Sequence, residues 1–279
     1  MNFIVVTGAS TGIGRATALS LVAKGHTVFA GVRKATDGDV LAQAAASERL
    51  VPLLLEVTDE AQVAAAFDRV RTHLAGSPLT GLVNNAGIGV GGPVEFLALS
   101  EWRRQFEVNL FGQIAVTKCA IPLMRGQGRR RIVNVTSMGG RIAQPYMAPY
   151  SASKFALEAV TDALRIELRY WGIDVIAVEP GAIATPIWDK AKTELGAAGD
   201  VLPEEGRALY AHGMRAIARF VAVTSARGIP PERVANAIDH ALHSRWPRAR
   251  YSVGLDAKIG MFLHDWLPNR IWDRVLTLA

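Results

Sequence analysis

Tyr150 and Lys154 stand four residues apart in the run Tyr150-Ser151-Ala152-Ser153-Lys154, and apolar residues continue at helical spacing through Leu157, Val160, Leu164 and Leu168. Residues four apart on a helix share a face, so a phenol and an ammonium on this stretch can address one point. A cation beside a phenol favours the phenolate and lowers a pKa that is about 10 when unperturbed. A phenol so tuned can pass a proton to or from an alcohol or ketone oxygen. The same spacing also occurs on solvated helix faces, so the pair takes its meaning from the elements around it.

The amino-terminal part supplies a scaffold. Residues 3–7 are an apolar, β-branched run followed by Gly8-Ala9-Ser10-Thr11-Gly12-Ile13-Gly14 and then a helical pattern through Ala18, Leu19, Leu21 and Val22. Strand, glycine loop and helix in that order form a dinucleotide-binding fingerprint. Gly8 permits the tight turn, Gly12 lets the backbone approach a pyrophosphate, and Gly14 lets helix pack on strand, while the helix start offers free N–H groups to the anion. A second strand, 27–32, ends in Arg33-Lys34, with no carboxylate before Asp37. An acidic residue there would accept the adenosine ribose hydroxyls, whereas an arginine accommodates a 2′-phosphate, so the pattern favours NADP(H) over NAD(H).

Further strands are expected at 53–57, at 81–84 leading into Asn84-Asn85-Ala86-Gly87, at 132–135 and at 173–178. Thr58-Asp59 caps a helix carrying Val63, Ala66, Phe67 and Val70, and Ser100 caps a long helix from Glu101 toward Met124 that Pro122 bends or ends. Strands alternating with helices indicate one α/β domain over residues 1–279, a doubly wound parallel sheet of Rossmann type flanked by helices.

With 279 residues, half of them apolar, the chain is long enough for a large core. Its net charge of +6 suits an anionic cofactor. The one dense basic run, Arg129 to Arg131, reads as a solvated turn and has no interleaved aromatics, which argues against nucleic acid. The single cysteine, Cys119, excludes an internal disulfide and fits a reducing, cytoplasmic setting. The opening run is read as a strand rather than a signal peptide, and no apolar stretch is long enough to span a bilayer. His240 and His243 lack a third ligand at sensible spacing, so a solvated helix face and no metal site is expected. Ser137 lacks the G-x-S-x-G setting of a hydrolase nucleophile.

Taken in order, Thr7 to Gly14, Asn84 to Gly87, Asn109, Ser137, Tyr150 with Lys154, and Pro180-Gly181 with Thr185 resemble the motif series of the short-chain dehydrogenase/reductase family. The resemblance runs from residue 3 to about 186 and more loosely to the end, where Arg250 to Lys258 is similar to retinol- and steroid-dehydrogenase members. It implies hydride transfer at nicotinamide C4, with Ser137 holding the substrate oxygen and Tyr150 exchanging its proton. Lys154 would bond the nicotinamide ribose, and Asn109 would hold a water linking the lysine to solvent. Ser10 and Arg33 resemble 2′-phosphate contacts, Thr185 with the Ile183 backbone resembles the carboxamide contact, and Asn84, Ala86 and Gly87 resemble the adenosine turn. Glu56-Val57 stands where the family usually has Asp-Val, one methylene shorter. The glycine loop also lacks the basic residue of some NADP-dependent members. Subunit contact in a dimer or tetramer is expected on helices 101–121 and 151–170.

After Pro186 an insertion to about residue 228 carries Ile187, Trp188, Leu195, Leu202, Tyr210, Met214, Ile217 and Phe220, with Lys190, Lys192 and Arg207 nearby. A segment placed there can act as a lid, and its apolar character suggests a lipophilic alcohol or ketone. The extension 250–279 carries Met261, Phe262, Leu263, Trp266, Leu267, Ile271 and Trp272. It could cover the core, meet a second subunit, or lie on a membrane surface beside Lys258 and Arg270.

Overall fold

The computed structural model describes residues 2–126, 128–186 and 203–278, with the side chains of 220, 221, 224–227, 277 and 278 left aside. Seven parallel strands form one sheet: β1 Phe3–Val6, β2 Thr27–Val32, β3 Leu50–Leu54, β4 Gly81–Asn84, β5 Arg130–Val135, β6 Ile173–Pro180 and β7 Arg250–Val253, in the order β3-β2-β1-β4-β5-β6-β7. The order reverses between β1 and β4, which opens a crevice at the carboxyl ends of the strands.

Both faces of the sheet are covered, so its strands are apolar throughout rather than alternating. On one face Ala18, Leu21 and Val22 of α1 (Gly12–Ala23), Leu41 of α2 (Ala35–Ala45) and Val234 and Ile238 of α8 (Pro231–His243) pack on β1, β2 and β6. On the other, Val63, Phe67 and Val70 of α3 (Glu60–Leu74) and Val116, Ala120 and Met124 of α5 (Gly112–Met124) cover Val5, Phe29, Leu82 and Ile132. Asp59 caps α3 as expected, accepting from the Gln62 N–H at 3.0 Å.

Four expectations need correction. β3 begins and ends earlier than 53–57, because the edge position tolerates Pro52, opposite Ala30, in the ladder. The expected helix 101–124 is three pieces: α4 (Leu99–Phe106, preceded by Ala98 rather than capped by Ser100), a π-helical turn over Glu107–Phe111, and α5. Arg130 and Arg131 are not a solvated turn. They open β5 at 5 % and 3 % exposure, and Arg131 pairs with Asp174 on β6 at 2.6 Å. The short β7, within what reads as a carboxyl-terminal extension, adds a seventh strand.

The helix opened by the Tyr150 run is α6, Ala148–Glu167, with Pro149 in its first turn, where a missing N–H costs nothing. Beyond β6 lie α7 (Glu204–Arg227), α9 (Leu255–Trp266) and α10 (Asn269–Leu278). Ile183 and Ile229 form a parallel bridge, so the insertion leaves and re-enters the fold at one point. Ala257, Met261 and Trp272 bury themselves against Ile142, whereas Leu255, Ile259, Phe262 and Trp266 stay exposed at i, i+4, i+7 and i+11. Among the described residues no helix is long and apolar enough to cross a membrane.

Candidate active site

The glycine loop that follows β1 is fixed by its neighbours. Gly8 and Gly12 have φ of 63° and 55°, and a Cβ on Gly14 would overlap the Gly8 carbonyl. Asn85 completes the brace: its Nδ2 donates to the Thr7 and Gly8 carbonyls at 3.0 and 3.1 Å. The Thr7 hydroxyl accepts the Asn85 and Ala86 N–H groups at 2.9 and 3.0 Å. α1 begins directly after the loop with no side-chain cap and no acidic residue in its first turn. Its free N–H groups therefore face the crevice, a ready site for phosphate.

Around that loop runs an open cleft lined by Gly8, Ser10, Thr11, Gly12, Ile13, Arg33, Glu56, Val57, Ala86, Gly87, Ser137, Tyr150, Lys154, Pro180, Gly181, Ile183 and Thr185. Arg33 is exposed at the end of β2, where it can meet an anion. Glu56 is turned toward Thr58, whose hydroxyl and N–H it accepts at 3.1 and 3.2 Å. Thr185 packs over Gly12, closing the loop from above. Asp256 at the start of α9 accepts the Ala182 N–H at 2.6 Å and fixes the turn after Gly181. The glycine cradle, the uncapped helix start and Arg33 together fit an extended anionic dinucleotide.

Three of the expected site residues stand behind this wall rather than in it. Gly14 packs on the loop. Asn84, 1 % exposed, donates to Thr117 and Asn134 at 2.8 and 2.9 Å, and Asn134 donates on to Thr161 at 2.8 Å. Its buried amide ties β4 to β5 and α5 instead of meeting a ligand. Asn109 lies in the π-helical turn: its Oδ1 accepts the Ile88 N–H at 2.9 Å while Nδ2 donates to the Ile88 carbonyl at 3.0 Å and to Ser153 at 3.3 Å.

Ser137, Tyr150 and Lys154 do converge. Ser137 follows β5 and accepts the Gly139 N–H at 3.0 Å. A Cβ on Gly139 would sit 3.3 Å from Ser137 Oγ and 3.1 Å from Tyr150 Cε1, so this glycine lets hydroxyl and phenol lie side by side. Burial pushes the Tyr150 phenol above its ordinary value, partly offset by a hydrogen bond from Ser137. The expectation that Lys154 lowers it is not met by the protein's own groups. Lys154, 5 % exposed, donates to the Val135 carbonyl at 2.9 Å, and burial lowers its own pKa to about 8 against a smaller upward pull from Glu158.

Sequence reasoning missed several residues. Gln105, fully buried, accepts the Val90 N–H at 2.7 Å and donates to the Ile88 carbonyl at 3.0 Å. Gln113 donates to the Ala86 carbonyl at 2.8 Å. Glu158 is held by Arg250, whose guanidinium also meets Asp162 and Glu179. These are single polar residues in helices, without a spacing to announce them, although Asn85 lay inside a motif already singled out.

Tyr146, Tyr150 and Met214 pack with buried Met147 and Ile217, so α7 and the start of α6 share one apolar cluster. Tyr146 has φ 61°, and its carbonyl accepts the Gly92 N–H at 2.7 Å. Tyr210 meets Tyr146 and Phe96 edge-on, with centroids 6.3 and 5.8 Å apart, and donates to Glu95 at 2.7 Å. The expected lid residues Ile187, Trp188, Lys190, Lys192, Leu195 and Leu202 lie outside the described residues, as does the side chain of Phe220.

A family model described as short chain dehydrogenase matches residues 2–196. Retinol dehydrogenase 5 of Mus musculus is 39 % identical over 285 residues, covering 99 % of this chain and 87 % of that protein. Among solved structures, a short chain dehydrogenase from Burkholderia cenocepacia in complex with NADP is 27 % identical with a TM-score of 0.75, covering 99 % of this chain and 97 % of that one. A 3-ketoacyl-(acyl-carrier-protein) reductase from Brucella melitensis complexed with NADH is 25 % identical with a TM-score of 0.73, covering 90 % and 96 %. Sheet order, glycine cradle and the Ser137–Tyr150–Lys154 cluster thus agree with likeness along nearly the whole length, and the chain belongs to the short-chain dehydrogenase family of nicotinamide-dependent oxidoreductases.

Proposed function

We propose that this enzyme transfers a hydride between NADP(H) and a secondary alcohol or ketone on a lipophilic molecule of steroid, retinoid or aromatic type. The observation that carries the reading is the placement of Ser137 and Tyr150 side by side in one cleft, with Tyr150 also packed against the apolar cluster of Met147 and Ile217. The preference for NADP(H) rests on Arg33 at the end of β2 without a neighbouring carboxylate; solved relatives carry either dinucleotide.

Bound nicotinamide supplies or accepts the hydride. Ser137 holds the substrate oxygen through its hydroxyl. Tyr150 donates its proton to that oxygen in reduction and takes one from the alcohol in oxidation. A buried phenol keeps its proton at neutral pH but is a weaker acid for it, and the Ser137 hydrogen bond offsets part of that by stabilising the phenolate left behind. Lys154 places a cation in this low-dielectric corner. Asn109 positions the 86–90 segment, and the π-helical turn around it is the kind of widened helix that frees backbone groups for an ordered water.

Exposed Phe111, Phe155 and Ile166 on the helices between residues 101 and 170 support a homo-oligomer contact there, which size-exclusion with light scattering tests. The function is tested by incubating the full chain with NADPH and a panel of steroid, retinoid and aromatic ketones while following NADPH absorbance. Turnover of at least one apolar ketone, with kcat/KM higher for NADPH than for NADH, is expected. Turnover of none, or preference for NADH, overturns the substrate or the cofactor half of the reading respectively.

A further inference from the structure

Side chains of metal-ligating type also meet at the opposite, amino-terminal edge of the sheet. His26 lies in the turn between α1 and β2, Asp239 and His243 stand one turn apart on α8, and one ligand atom of each lies within 4.8 Å of the other two. The partner of His243 is therefore not His240, its neighbour in sequence, but a residue from the other end of the chain. The His26 and His243 rings lie nearly parallel, at 12° with centroids 4.5 Å apart. Asp239 Oδ1 is 3.0 Å from His243 Nδ1, and Oδ2 accepts from Lys24 at 2.6 Å.

One observation separates this cluster from a solvated pair of histidines. Nδ1 of His26 is buried and has no hydrogen-bond partner, an arrangement that is uncommon unless another group satisfies it.

We propose that His26, Asp239 and His243 bind one divalent transition metal of borderline softness, zinc above all. Two imidazole nitrogens and one carboxylate oxygen suit zinc, cobalt or nickel and disfavour magnesium and calcium, which take oxygen ligands. Binding turns one imidazole out of the parallel arrangement so that both lone pairs converge, with water in the remaining position. Lys24 keeps its hold on Oδ2, which orients the carboxylate and, as a nearby cation, weakens the site. The metal would clip α8 to the α1–β2 turn, far from the carboxyl-edge cleft, so it acts on stability and not on turnover.

The full chain, stripped with chelator, is titrated with Zn²⁺ while melting is followed, and separately with Co²⁺ while visible absorption is followed. Zn²⁺ should raise Tm, Co²⁺ should develop a d–d spectrum, and Ca²⁺ should do neither. His26→Gln and His243→Ala should each weaken both responses by at least about tenfold, whereas His240→Ala, whose ring contacts the Tyr251 hydroxyl at 2.9 Å, should keep them. Lys24→Ala should tighten binding. Wild-type turnover in each variant certifies the fold, because none of these residues lines the cleft. Absence of both responses in the wild type, or responses in His26→Gln and His243→Ala as strong as the wild type's, the mark of an adventitious ion only, overturns the site.

Discussion

A side chain at position 213 would stand inside the Tyr146 ring: a Cβ built on Gly213 overlaps the Tyr146 hydroxyl and comes within 2.7 Å of Cε2. This glycine is what lets α7 seat itself against the strained loop ahead of α6. Gly213→Ala should raise KM for a large apolar substrate severalfold with a smaller change in kcat. Because the clash is with one ring, adding Gly213→Ala to Tyr146→Ala should change KM little further, a non-additivity read from a double-mutant cycle. Additive effects would place the lid's seat elsewhere.

Tyr150→Phe keeps the ring that packs in the apolar cluster of Met147 and Ile217 and removes only the phenolic hydroxyl. Turnover should fall by roughly 10²–10⁴-fold, the usual span for a positioned acid or base, while dinucleotide affinity by fluorescence quenching stays nearly unchanged. Retained turnover would reject the phenol as proton donor.

Lys154 should tax stability for the sake of its position. Its amine ionises at 10.5 when unperturbed and at about 8 in the fold. Between those values the unfolded chain holds the extra proton, so stability falls as pH drops through that window and the full penalty is present at pH 7. Lys154→Met should therefore abolish turnover yet raise unfolding free energy at pH 7 by about 1–3 kcal/mol, the ionisation penalty less one hydrogen bond. Urea midpoints measure it, and a destabilised variant would contradict the assignment. Dinucleotide affinity of the wild type should also weaken between pH 7 and 9, with no such slope in Lys154→Met.

Arg33→Asp should lower kcat/KM for NADPH and raise it for NADH, changing the ratio by more than about tenfold through loss of a charged contact and gain of a ribose acceptor. An unchanged ratio would move the 2′-phosphate contact to another residue.

What the chain disclosed in advance was whatever carries a period or a fixed spacing. The strand-loop-helix at Gly8 to Gly14, the Asn84 to Gly87 turn and the one-turn offset of Tyr150 and Lys154 are local facts, and each lands in or against the cleft. The rest depends on neighbours that are distant in sequence. Arg130 and Arg131 read as solvent-facing because charge is normally exposed, yet Asp174 on the adjacent strand lets Arg131 sit inside. Asn84 reads by itself as a ligand group, but pairing β4 with β5 makes Asn134 its hydrogen-bond partner. The Tyr150 pKa could not be read from spacing, because burial outweighs whatever the ammonium contributes.

The π-helical turn between Glu107 and Phe111 has the last consequence. Its surplus residue sets the phase between α4 and α5, so deleting one position there would restore a regular coil and turn everything after it by about 100°. Gln113 would leave the Ala86 carbonyl and Thr117 would leave Asn84, while Gly112, which has room for no Cβ beside the Val57 carbonyl, would be replaced at that crossing by a bulkier neighbour. A single codon lost on the far side of the sheet would thus loosen the floor of the cleft with Ser137, Tyr150 and Lys154 still in the chain.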